Sequence, residues 1–72
     1  MDINEARQHP AYGPVLLFRQ ATAKLRTVLE VSASEGANRQ IRDALATLEL
    51  TDILLVAEWH RQSGFRPHRD VL

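Results

Sequence analysis

Between residues 41 and 59 the chain carries two apolar faces on one helical period, with an acid in the middle of the larger one. Ile41, Ala44, Leu45, Leu48, Leu55, Val56 and Trp59 recur at helical spacing and form a single stripe. Asp52 falls at the centre of that stripe. Leu50, Ile53, Leu54 and Ala57 form a second patch, roughly opposite at about 100° per residue. An ordinary surface helix buries one stripe and solvates the rest, so this pattern demands a further explanation.

Two readings satisfy it. In the first, one continuous helix runs through the segment, and its second face is covered by something outside the chain's own helical hairpin. Asp52 is then a polar residue in the seam that fixes register at some cost in stability. In the second, the chain breaks near Thr51, and Thr51 with Asp52 caps a new helix, where an acid favours the helix dipole. Residues 46–57 contain no glycine or proline to force a break, which favours the continuous helix.

The rest of the chain reads as further helices. Asp2, with Glu5 three residues on, has the spacing of a capping box for a short helix over residues 2–8. Pro10 and Gly13 punctuate a connector, and Pro14 suits the first position of a second helix over residues 14–34. On that helix Leu17, Phe18, Ala21, Leu25, Val28 and Leu29 lie on one arc, and Arg19, Arg26 and Glu30 lie opposite. Gly36 is the expected left-handed stop and Asn38 the expected cap of a third helix over residues 38–63, which Gly64 ends. The fold class expected is therefore all-α. It is an antiparallel helical hairpin with a short N-terminal helix, in one domain over residues 1–64, followed by an extended tail over residues 65–72.

Size bears on assembly. With 72 residues the chain gains no more than about 3–5 kcal/mol from a single core, and chains this small are commonly reinforced by disulfides, metals or oligomerisation. There is no cysteine, so no disulfide framework and no thiolate chemistry. The three histidines, His9, His60 and His68, are scattered and none belongs to an i,i+4 pair, so no metal site is expected. Self-association into a four-helix-type bundle is the remaining route.

The function classes narrow accordingly. The serines at 32, 34 and 63 sit at expected helix ends, and no nucleophile elbow, phosphate-binding glycine loop or dinucleotide fingerprint occurs. Neither an enzyme nor a cofactor is expected. No apolar run approaches the length of a membrane span, and the acidic start Asp2, Asn4, Glu5 does not read as a secretory leader, so a cytoplasmic protein is expected. Nine basic and nine acidic residues cancel, without the basic excess typical of nucleic-acid binders.

The expected function is that of a small non-enzymatic interaction protein: an adaptor, an assembly factor or an inhibitor of a larger complex. Leu50, Ile53, Leu54 and Ala57 are the expected partner-binding residues, and Asp52 the register or cap residue. The partner is a second copy or a larger protein. The alternative is a dimeric nucleic-acid-associated regulator using the basic end of the chain, where Arg61, Arg66 and Arg69 face only Asp70. Phe65, Arg66 and Arg69 are the candidate docking residues of that tail.

Overall fold

The computed structural model describes residues 1–66. Among them the chain forms three packed helices and no strand: α1 (Ile3–Arg7), α2 (Tyr12–Val31) and α3 (Glu35–Ser63). Each end has a local cause. The Asp2 carboxylate accepts a hydrogen bond from the Glu5 amide at 2.9 Å and caps α1. The Tyr12 amide donates to the His9 carbonyl and the Gly13 amide to that of Pro10, so the turn at Pro10 runs directly into α2.

That helix begins two residues earlier than the placement of Pro14 predicts. Pro14 still falls in the first turn, where an amide would lack an intrahelical acceptor anyway. The junction between α2 and α3 is also shorter than predicted, and this corrects the expected roles of Gly36 and Asn38. The helix ends at Val31 rather than near 34, and Ser34 caps α3 by accepting from the Ala37 amide at 3.2 Å. Gly36 therefore lies inside the first turn of α3, and Gly64 is the glycine with positive φ. Asn38, instead of capping, is buried and donates its amide to the Ser32 carbonyl at 3.1 Å. The three-residue junction suffices because each of its serines supplies an acceptor: Ser32 Oγ takes the Ser34 amide at 3.2 Å and Ser34 Oγ that of Ala37.

At 29 residues α3 is about 43 Å long and runs without a break through Thr51, whereas α2 with 20 residues spans about 30 Å. The two pack along Thr22 and Leu45, both buried. The arc predicted for α2 is rotated. Val15 and Thr22 are buried, Phe18, Leu25 and Leu29 are half-buried, and Leu17, Ala21 and Val28 are exposed. A single neighbouring helix covers a strip narrower than the arc of apolar residues, so part of that arc faces out.

The densest core lies where α1, the start of α2 and the end of α3 meet. Ala6, Val15 and Trp59 are buried there, with Ile3, Ala11, Tyr12, Leu55, Val56 and Phe65 packed around them. The Trp59 indole N–H donates to the Ala6 carbonyl at 2.7 Å, and the Tyr12 ring lies 4.7 Å from it. Removing a buried ring of this size costs about 3–5 kcal/mol, comparable to all that a core in so small a chain supplies. Trp59→Ala is therefore the single change most able to unfold the protein.

Candidate interaction surface

The continuity of α3 decides what its outer face is. With no break at Thr51, Leu50, Ile53 and Leu54 stand on one continuous helix and remain 64%, 62% and 69% exposed. Ala57 is exposed beside them. The spacings Leu50 to Ile53, Leu50 to Leu54 and Ile53 to Ala57 are three or four residues, so these side chains are neighbours at about 5–6 Å on the helix surface. The patch is contiguous and presented by regular secondary structure.

Asp52 resolves differently from an unpaired acid in an apolar seam. Arg19 of α2 grips it with two hydrogen bonds, Nε to Oδ1 at 2.9 Å and Nη2 to Oδ2 at 3.2 Å. The hydrogen bonds from Arg19, with the positive charges of Arg19 and Arg26, hold the Asp52 carboxyl below the ordinary carboxylate range. The same contact raises the Arg19 guanidinium. The pair is partly solvated, so its net stabilisation is up to about 1 kcal/mol. A bidentate Arg–carboxylate contact tolerates little sliding, so it ties one position of α2 to one position of α3.

Around this pair lies a groove of about 450 Å³, with Thr22, Leu45 and Leu48 below and Arg19, Arg26, Glu49, Asp52 and Ile53 at its rim. Ile53 thus joins the groove to the exposed patch. The groove brings together the Arg19–Asp52 pair, the charged side chains of Arg26 and Glu49, and apolar walls, and the Thr22 hydroxyl in it donates to the Arg19 carbonyl at 3.0 Å.

Several other polar side chains hold local structure. Ser32, Ser34 and Ser63 all accept backbone amides, at 3.2, 3.2 and 3.3 Å. His9 Nδ1 accepts the Ala11 amide at 3.0 Å. Arg61 is paired with Glu58, whose carboxyl falls to about 2 through hydrogen bonds from Arg61 and Gln62. Among the described residues no group of three histidine, cysteine, aspartate or glutamate side chains is placed to hold a metal ion. No helix among them is long and apolar enough to cross a membrane.

Of the candidate tail residues, Phe65 is half-buried against the core, its ring 6.2 Å from that of Trp59. Arg66 is exposed, and Arg69 lies outside the described residues. A second set of exposed apolar side chains, Leu16, Leu17, Val28 and Val31 on α2, had no separate signal in the sequence because Leu17 and Val28 share the arc of the inward residues.

Comparison with protein-family models, curated proteins and solved structures finds no match for this chain.

Proposed function

We propose that the protein is a non-enzymatic interaction module. In this reading α2 and α3 form an antiparallel hairpin, braced at one end by α1, and the hairpin holds the outer face of α3 rigid for docking on another protein. The action is steric, as in an adaptor, an assembly factor or an inhibitor of a larger complex. The observation that carries the reading is the joint exposure of Leu50, Ile53 and Leu54 on an unbroken helix, because contiguous exposed apolar side chains mark association sites. The Arg19–Asp52 link supports the antiparallel arrangement, since it joins an early position of α2 to the later half of α3.

The nucleic-acid alternative gains less support. Of its cations, Arg61 has Glu58 beside it to compete with a phosphate, Arg66 is exposed, and Arg69 lies outside the described residues.

A photo-crosslinking amino acid at position 54, in the full chain expressed in its native cells, tests the reading. Protein adducts at position 54, and none from a matched probe at the exposed Lys24, are expected. Nucleic-acid adducts, or none at position 54, would overturn it.

A further inference from the structure

The described residues leave much of their apolar surface uncovered. Leu50, Ile53 and Leu54 on α3 and Leu16, Leu17 and Val28 on α2 are all exposed. Among the described residues only Ala6, Val15, Leu45 and Trp59 are buried apolar side chains. A surface of this size relative to its core suits a subunit better than a finished monomer.

The residues flanking the patch say what covers it. At about 100° per residue, Asp43, Ala46, Leu50, Ile53, Leu54, Ala57 and Arg61 share the outer side of α3. Their pattern is palindromic in shape and complementary in charge about Asp52. Asp43 and Arg61 lie nine residues to either side of it, the small Ala46 and Ala57 lie inside them, and the large apolar residues fill the middle.

We infer that the outer face of α3 is covered by a second copy of this chain, the two α3 helices running antiparallel about a two-fold axis near Asp52. This rests on the docking role of that face and names its occupant. A two-fold interface places one surface against itself, so each complementary contact forms twice. Leu50 then meets Ile53 and Leu54 of the second copy, Ala46 meets Ala57, and Asp43 meets Arg61. The alanines let the helix axes approach, toward the short end of the usual 8–10 Å. A parallel pairing would set Asp43 on Asp43 and Arg61 on Arg61, which the charges disfavour. Arg61 can serve both Glu58 of its own helix and Asp43 of the second copy, because its guanidinium carries five donors.

Sedimentation velocity of the full chain with charge-reversed variants tests this. The wild type is expected to sediment as a dimer at micromolar concentration. Asp43→Arg alone, or Arg61→Asp alone, sets like charges together at both ends and is expected to raise the dimer dissociation constant roughly tenfold or more. Mixing the two variants restores both contacts, so a one-to-one heterodimer of near wild-type affinity is expected. A dimer that ignores both reversals but is lost on Ile53→Ser/Leu54→Ser would overturn the antiparallel register. A helical wild type that stays monomeric would overturn the second copy as occupant. It would not touch the docking role itself, which the crosslink at position 54 judges separately.

Discussion

The Trp59 indole N–H donates to the Ala6 carbonyl oxygen at 2.7 Å and so ties the end of α3 to α1 across 53 residues of chain. The same carbonyl also accepts the His9 amide at 3.2 Å, so it keeps a partner if the indole is removed. Trp59→Phe is therefore expected to cost less than an orphaned buried carbonyl would. The lost hydrogen bond contributes about 1 kcal/mol, and the smaller ring adds a packing loss. Urea unfolding followed by far-UV circular dichroism measures both together. A loss near zero would mean that α1 is not held by this contact.

The Arg19–Asp52 pair makes a prediction with a definite sign in pH. The folded-state pKa of Asp52 lies below its ordinary 3.8, so its contribution is fully present above about pH 4 and is lost as pH falls through the depressed value. At pH 7 Asp52→Asn is expected to be less stable than wild type by up to about 1 kcal/mol, and the gap should shrink in high salt. As pH falls below 4 and through that depressed value, the two curves should converge. Other carboxylates, Glu58 among them, titrate in both proteins, so the difference isolates Asp52. A variant more stable than wild type at pH 7 would mean that burial of Asp52 outweighs its pairing.

Gly36 and Gly64 should respond to alanine with opposite signs. Gly36 has helical geometry in the first turn of α3, and a methyl group there meets nothing within 4 Å. Gly36→Ala is expected to stabilise by about 0.4–1 kcal/mol, by restricting the unfolded chain. Gly64 ends α3 at φ 79°, also with open space around it, so the cost of an alanine is purely backbone, about 1–2 kcal/mol. Thermal melts of the two variants decide the matter. A destabilising Gly36→Ala would restore Gly36 to the left-handed stop that its composition suggests.

The absence of cysteine from the natural sequence allows a direct probe of orientation. Under antiparallel pairing, Ala46→Cys mixed with Ala57→Cys should oxidise mainly to the mixed disulfide, because bridging needs Cα atoms within about 7 Å. Non-reducing electrophoresis, with the two variants made distinguishable in mass, reads the ratio. Dominant same-position disulfides would point to parallel helices.

Several of these features were readable from residue order and others were not. The inner stripe of α3 follows from its period, with Leu45 and Trp59 buried and Ile41, Leu48, Leu55 and Val56 half-buried, although Ala44 of the same stripe is exposed; the stop at Gly64 follows too. The outward placement of Leu50, Ile53 and Leu54 follows from the same counting once the helix is continuous. The start of α3 was not readable. Ser34 and Asn38 are both good caps, and Gly36 fits a helix stop as well as a first turn. The choice is made by short-range contacts within the junction, Ser32 to Ser34, Ser34 to Ala37 and Asn38 to Ser32, and residue types that cap equally well do not say which of them form. The partner of Asp52 was hidden for a different reason. Arg19 and Asp52 are 33 residues apart, and nothing local distinguishes Arg19 from the other exposed cations of α2. On α2 the apolar arc was wider than its single neighbour could bury, and composition alone does not reveal which edge is left outside.

Everything functional here turns on whether Leu50, Ile53 and Leu54 form a docking face or a disguised core. The most direct measurement is thermal unfolding of the wild type and of Ile53→Ser/Leu54→Ser at about 1 and 100 µM, followed by far-UV circular dichroism. Association linked to folding makes the melting temperature depend on concentration. The wild type should melt higher at the higher concentration. The variant should keep its helicity and melt at one temperature, equal to the dilute limit of the wild type. A wild type that melts at the same temperature at both concentrations, with a variant unfolded at both, would contradict the docking role and make the patch part of the core.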